Sequence, residues 1–186
     1  KILYHTTFIG KNIKLLKTKK LKKKFNINTN FFYLPNHFWK HKNHLVVFKA
    51  IKEIKKVNKN ILLITTGNPN DYRFPENFSK LQNFIKKEKL QNNIKYLGIV
   101  SLSDVFSLIR NSLAIINPSF FEGWGNTLEH AIHLNKYAIV SNIDVHKERV
   151  YKNKILFDPV NYKQLAKIMI NIINQKKLLK KYNKNK

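Results

Sequence analysis

The chain has 186 residues, 43% hydrophobic and 12% aromatic, which is enough to bury the core of one globular domain. This composition excludes a disordered or fibrous protein, and the sequence holds no apolar run of about 20 residues that could span a membrane. The absence of cysteine excludes thiolate catalysis, disulfides and cysteine-based zinc sites, and it fits a reducing compartment, so we expect a cytoplasmic protein.

The net charge of +26 favours an anionic partner. Only Arg73, Arg110 and Arg149 are arginines, whereas nucleic-acid recognition favours the bidentate guanidinium group. The lysines are scattered and interleaved with asparagines, which disfavours a dedicated nucleic-acid groove. Two interpretations stay open: a compositional bias with a solvated surface, and peripheral association with an acidic membrane.

In chain order, residues 1–30 form a basic lead-in or linker, to which we assign no chemistry. Short apolar runs then predict strands at 31–34, 61–65, 94–97, 113–116, 137–140 and 155–157. Helical spacing of apolar residues predicts helices at 45–57, 78–90, 104–110 and 162–173, and another after residue 125. Ser103 is the expected N-cap of the 104–110 helix, 141–144 a polar loop, and 176–186 a basic tail that continues the last helix.

Strands thus alternate with helices of about 10–15 residues, a pattern that predicts βαβ units. The expected fold is α/β, a Rossmann-like parallel sheet with helices on both faces. We assign this fold to residues 31–175.

The segment 117–131, NPSFFEGWGNTLEHA, joins a buried strand to an amphipathic helix through a glycine loop. Such a loop at the carboxyl end of a parallel strand favours ligand binding, because free N–H groups and the positive end of the helix dipole meet there. Glu122 is expected to lie in the crevice. Glu129 forms a capping-box-like pair with an Asn126 N-cap, a role compatible with ligand binding, and Gly123 and Gly125 supply the sharp turn.

Five motifs follow one another along residues 31–173: FYLPNHFWKHKNH, ILLITTG, YLGIVSLSDVFSLIRNSLAIINPSFFEGWGNTLEHA, YAIVSNIDVHKE and LFDPVNYKQLAKIM. Their order resembles the C-terminal donor-binding domain of retaining glycosyltransferases of family 4, the group 1 type with the GT-B fold. The resemblance implies that the domain at residues 31–175 binds a nucleotide-sugar.

The resemblance implies that Glu122 contacts the donor sugar and Glu129 binds the ribose hydroxyls. Their separation is one residue shorter than the commoner family spacing, which would place the second acidic residue at His130. It also implies a basic pair that holds the diphosphate. Lys42 matches the lysine of this pair, and Asn36 stands where the family has an arginine.

Other donor-binding residues follow from the same resemblance. The diphosphate would rest on Lys42, on the amides that open the helix and on Lys40, while the nucleotide base would pack beside the third strand. The donor-binding residues that the resemblance adds in this way are Lys40, Gly98, Ile99, Gly123, Gly125, Asn126 and Thr127. Trp124 and Trp39 are candidates to stack on sugar or base, or to seal the core. His37, His41 and His44 suggest zinc, but the GT-B type needs no metal, and we expect none.

The implied reaction transfers a sugar from a nucleotide-sugar to an acceptor hydroxyl, on a glycan or a lipid-linked molecule, with retention of configuration. Glu122 and Lys42 are the expected catalytic residues. Because the GT-B acceptor domain is missing from this sequence, we expect little or no transfer by the chain alone. Two alternatives are a basic module that binds nucleic acid or membrane without catalysis, and a sugar-nucleotide epimerase of similar fold.

Overall fold

One six-stranded parallel sheet forms the centre of the fold, with the strand order β3-β2-β1-β4-β5-β6. The computed structural model describes the backbone of residues 14–184 and the side chains of residues 14–175. The strands are β1 Phe32–Leu34, β2 Leu63–Thr65, β3 Ile94–Tyr96, β4 Ile115–Asn117, β5 Ala138–Ser141 and β6 Lys154–Phe157. The order of the sheet reverses between β1 and β4, and the loops after these two strands diverge there to leave a crevice.

Helices cover both faces of the sheet. They are α1 Thr18–Phe25, α2 His44–Val57, α3 Asn77–Lys87, α4 Leu102–Asn111, α5 Asn126–His133, α6 Asp144–Lys147 and α7 Tyr162–Lys184, with a 3₁₀ turn at Lys40–Lys42. Alternate strand residues point to opposite faces, so Phe32 and Ile116 pack with α2, α3 and α7, whereas Tyr33 and Ile115 pack with α1, α4 and α5. A parallel sheet with helices on both faces confirms the predicted α/β class.

The α4 helix begins earlier than predicted. Ser101, not Ser103, is its N-cap, and the Ser101 hydroxyl oxygen accepts a hydrogen bond from the Asp104 amide. Ser103 already lies in the first helical turn, where its hydroxyl donates to the Lys14 carbonyl instead. The two serines are two positions apart, and only the extended backbone at Ser101 allows the capping geometry.

Two other segments also differ from prediction. Residue 141 still belongs to β5, and the expected polar loop contains the start of α6, whose four residues are too few to show a helical period. The α7 helix continues to Lys184, well past residue 173, as expected for the basic tail. Within residues 14–184, no helix combines the length and apolar character required to cross a bilayer.

The lysine-rich run of the lead-in forms α1, which packs against α4. Leu21 is completely buried in the core on that face, and the Lys24 ammonium lies 2.7 Å from the Asp104 carboxylate. The remaining lysines of α1 stay on its outer side. Part of the lead-in therefore contributes to the core of the same sheet, while the division of the chain at residues 30 and 175 stays a prediction.

Candidate functional site

A cleft of about 330 Å³ lies at the carboxyl ends of β1 and β4, where the order of the sheet reverses. Of the residues predicted for the site, those that line it are Asn36, Lys42, Ile99, Glu122, Trp124, Gly125, Asn126 and Thr127. Further lining comes from Pro35, His37, Trp39, Thr66, Gly67, Val100 and Val105. The loop after β1, the loop after β4 and the start of α5 thus meet around one cavity.

An ion pair between Lys42 and Glu122 lies in the wall of this cleft. The Lys42 ammonium donates to Glu122 Oε1 at 2.8 Å, and the two side chains are only 14% and 8% exposed. The Ser119 hydroxyl donates to the same carboxylate oxygen at 2.6 Å. An ammonium has three N–H donors, so Lys42 can hold Glu122 and still offer donors to an anion in the cleft.

The surroundings of Glu122 act on its pKa in opposite directions. Burial raises the pKa, because it disfavours the charged carboxylate, but the hydrogen bonds and charge of Lys42 and the hydrogen bond of Ser119 lower it more. The pKa of Glu122 therefore lies below its ordinary value. At neutral pH the group is a carboxylate, able to accept hydrogen bonds from hydroxyl groups and unable to donate a proton.

This lowered pKa predicts a pH-dependent contribution to stability. Since the folded pKa of Glu122 lies below the ordinary value of 4.5, its pairing stabilises the fold fully above that pH and is lost as pH falls through the folded pKa. The free energy of unfolding of the native chain minus that of Glu122→Gln should therefore be constant from about pH 5 to 7 and decrease below pH 4.5. Urea unfolding at several pH values measures this difference, and a difference that stays flat down to pH 3 contradicts the assignment.

Asn36 connects the three elements of the cleft. Its side-chain amide donates to Asn117 Oδ1 at 3.0 Å, and its carbonyl oxygen accepts from the Thr127 hydroxyl at 3.1 Å. The side chain is buried between β4 and the start of α5. Asn36 therefore holds the walls of the cleft together through neutral hydrogen bonds, and it supplies none of the positive charge of an arginine.

The start of α5 differs from the predicted capping box. Gly125, not Asn126, occupies the N-cap position with φ +77°, and no side chain caps the helix. A Cβ at Gly125 would meet only the His146 ring, 3.7 Å away, so the positive φ rather than lack of space favours glycine. Helices leave their first N–H groups without intrahelical acceptors, and at α5 these groups lie beside the cleft.

Glu129 is occupied by another partner. Its carboxylate forms an ion pair with Arg149, and the two side chains are 14% and 11% exposed. Arg149 also donates to the Trp124 carbonyl oxygen and lies over the Trp124 ring, 4.0 Å from its centre. Glu129 does not line the cleft. The prediction that Glu129 caps α5 together with Asn126 was wrong, because the Glu129 carboxylate pairs with Arg149 instead.

Arg149 and His146 are site residues that the sequence did not reveal. His146 is fully buried; its Nδ1 donates to the Ser141 carbonyl at 2.9 Å, and Nε2 lies 3.3 Å from the Asn117 amide nitrogen. The ring thus supports Asn117, which in turn accepts from Asn36. The sequence held only weak signals of these two residues. Arg149 is one of three arginines in a lysine-rich chain, and His146 follows the polar loop that was predicted at 141–144.

Some predicted residues lie away from the cleft. The Lys40 ammonium lies over the Phe74 ring, 4.1 Å from its centre, in a separate cavity beside α2. The Gly98 carbonyl accepts from the Gly67 amide and Gly98 has φ +73°, so it shapes the loop that carries Ile99. Gly123 lines the neighbouring cavity rather than this one.

Two of the three histidines near Lys42 have separate environments. His37 accepts from the Asn68 amide, and His44 is buried against the Phe38 ring, which lowers its pKa to about 3. Within the described part of the chain, no group of three or more histidine, cysteine, aspartate or glutamate side chains could hold a metal ion. The expectation of a metal-independent site stays a prediction.

Comparison with known proteins places this cleft in context. Residues 17–186 match the family model described as glycosyl transferases group 1. The O-antigen chain mannosyltransferase RfbU of Salmonella typhimurium is 27% identical over 143 residues, which cover 77% of this chain and 38% of that protein.

Solved structures share the fold. The Anabaena Alr3699/HepE structure in complex with UDP has a TM-score of 0.78 and 19% identity, over 89% of this chain and 46% of that one. A glycosyltransferase from Rickettsia africae has a TM-score of 0.73 and 23% identity, over 88% and 44%. The chain therefore spans less than half the length of each of these relatives, and its sheet corresponds to one half of a GT-B fold.

Proposed function

The chain belongs to the glycosyl transferases of group 1, and from this premise we propose that its cleft binds the nucleotide-sugar donor of a sugar-transfer reaction. We assign the chain to the retaining family 4, as the C-terminal half of a GT-B enzyme. The acceptor hydroxyl, on a glycan or a lipid-linked molecule, would reach the sugar from an acceptor domain outside this sequence. On this proposal the chain alone transfers little or no sugar.

The observation that carries the proposal is the position of the Lys42–Glu122 pair beside the uncapped start of α5. The Lys42 ammonium and the helix N-terminus are both positive, and the single Glu122 carboxylate is the paired negative charge beside them. A diphosphate in the cleft would be attracted by both at once, by the ammonium and by the first N–H groups of the helix. The arrangement therefore fits a ligand that brings its own negative charge.

The chemistry follows from the same positions. As the bond between sugar and diphosphate breaks, negative charge grows on the leaving diphosphate, where Lys42 and the amides of residues 125–127 would stabilise it. Glu122, held as a carboxylate by Lys42 and Ser119, would accept hydrogen bonds from sugar hydroxyls and fix the orientation of the ring. Asn36 and His146 would keep these groups in register through Asn117. No metal is needed for any of these contacts.

The donor assignment predicts stabilisation by nucleotides. At a hundredfold excess over its Kd, a nucleoside diphosphate should raise the Tm of the chain by about 5 to 10 °C, because it binds only the folded state. A thermal-shift series with UDP, ADP and GDP at moderate salt measures the effect, and duplex DNA serves as the control for non-specific attraction to a basic protein. The series also identifies the preferred base.

Other outcomes point to the two alternatives. Salt-sensitive stabilisation by DNA, with no effect of any nucleotide, would contradict the proposal and favour the basic binding module. An epimerase would also bind a nucleotide-sugar but would leave the bond between nucleotide and sugar intact at the end of the reaction. Product identification with a labelled donor, using a longer protein that contains this chain, separates these two reactions.

A further inference from the structure

The Lys42–Glu122 pair lines both the cleft and a second cavity of about 490 Å³. Both cavities are lined by the pair and by Trp39, whereas His41, Arg73 and Phe121 line the second alone. The loops after β1, β2 and β4 form its walls, with Arg73 in the loop after β2. The Phe120 amide joins the loops after β1 and β4 by donating to the His41 carbonyl at 2.8 Å. The two cavities thus share one ion pair in their lining.

Arg73 gives the second cavity a positive charge that is only loosely paired. Its Nε lies 4.0 Å from Asp71, beyond hydrogen-bonding distance, and half of the arginine side chain is exposed. The Asp71 carboxylate is instead satisfied by backbone amides, accepting from Lys40 at 2.8 Å and from Arg73 at 3.1 Å. The guanidinium therefore retains donors for a ligand.

The Asp71 carboxylate offsets part of the Arg73 charge, but Asp71 is buried and does not line the cavity. Lys42 and Glu122 offset each other. Burial, and then the positive charge of Lys42, lowers the pKa of His41, which keeps the imidazole neutral at pH 7. A cavity with an exposed guanidinium that makes no side-chain hydrogen bond to its carboxylate partner favours a carboxylate or a phosphate ligand, both of which accept its paired N–H groups in a bidentate manner.

Apolar rings complete the cavity. Phe121 is 68% exposed, although it immediately precedes the buried Glu122 in the loop. The centre of the Trp39 ring lies 5.2 Å from that of His37 and 5.6 Å from that of His41. An exposed phenylalanine beside a guanidinium offers a flat apolar surface next to a charge. That combination fits a ring with an apolar face and an anionic substituent.

From these observations we infer that the second cavity binds an anionic sugar, one that carries a phosphate or a carboxylate recognised by Arg73. The inference rests on the proposed function, since it takes the first cavity as the site of the nucleotide. The anionic sugar has two sources: an acceptor sugar phosphate, or the sugar of a donor that is itself a uronate. In either case, Arg73 would determine which substrate is used without contacting the nucleotide.

Calorimetric titration of the chain tests this inference. Glucose 6-phosphate and neutral glucose are titrated into the chain saturated with UDP, and UDP-glucuronate is compared with UDP-glucose in a separate titration. We expect one of the two anionic ligands to bind at least about tenfold more tightly than its neutral counterpart. Arg73→Ala should remove that preference and leave UDP affinity unchanged, while Arg110→Ala, on the exposed side of α4, should change neither.

The pattern of preference identifies the source. Preference for glucose 6-phosphate indicates an acceptor, and preference for UDP-glucuronate indicates the donor sugar. If UDP binds but neither anionic ligand is preferred, or if Arg110→Ala removes the preference as fully as Arg73→Ala, the inference is wrong while the proposed function stands. If none of UDP, ADP and GDP binds, both the proposed function and the inference are contradicted.

Discussion

Replacing Glu122 with glutamine should lower the affinity for a nucleotide-sugar by at least about tenfold relative to the affinity for the corresponding nucleoside diphosphate. Glutamine keeps the shape of the side chain but loses the charge that accepts sugar hydroxyls most strongly. The same change removes a negative charge next to the diphosphate position. Binding of the diphosphate alone should therefore be unchanged or tighter.

Calorimetry with UDP and UDP-glucose on the native chain and Glu122→Gln measures both affinities. Glu53→Gln is the matched control, because Glu53 also pairs with a lysine, Lys56, but on the outer surface of α2. The control should leave both affinities unchanged. A variant that loses UDP and UDP-glucose equally would show that Glu122 maintains the loop and does not contact the sugar.

Replacing Lys42 with alanine should lower the affinity for a nucleoside diphosphate by about 10- to 100-fold, the cost of one charge-assisted interaction with a phosphate. The loss has a second cause. Without Lys42, the buried Glu122 carboxylate loses its cation, so its pKa should rise and any charge that remains would repel the diphosphate. The variant therefore removes an attraction and exposes a repulsion.

The matched control for this variant is Lys56→Ala, since Lys56 forms an exposed pair within α2. Both variants lower the net charge of the chain by one, so a general electrostatic effect would appear in both. We expect Lys56→Ala to retain native UDP affinity at moderate salt. Equal losses in the two variants would indicate non-specific attraction and would contradict the assignment of Lys42 to the diphosphate.

Much of the fold was predictable from the sequence, because the four inner strands, β1, β2, β4 and β5, are short, mainly apolar runs that are buried throughout. The runs at 61–65 and 113–116 correspond to β2 and β4, and the helical spacing of 45–57 corresponds to α2. The elements that were misplaced are short or depend on local geometry. α6 is too short for a period, and the choice of Ser101 over Ser103 as N-cap depends on backbone angles.

The site was predictable only in part. Glu122 and Lys42 could be expected to converge, because each follows a strand and the carboxyl ends of parallel strands share one edge of the sheet. The partner of Glu129 could not, since Arg149 comes from a distant loop after α6. The positions of Lys40 and Glu129 outside the cleft likewise depend on where side chains point, which residue spacing alone does not determine.

The most direct test compares the UDP affinity of Glu122→Gln and Lys42→Ala side by side in one buffer. If the pair faces a nucleotide-sugar, the two variants should change this affinity in different ways: the glutamine variant keeps or strengthens UDP binding, and the alanine variant loses about 10- to 100-fold. If the pair only holds two loops together, removing either partner should weaken UDP binding to a similar extent. Equal losses would contradict the assignment of this cleft to the nucleotide-sugar.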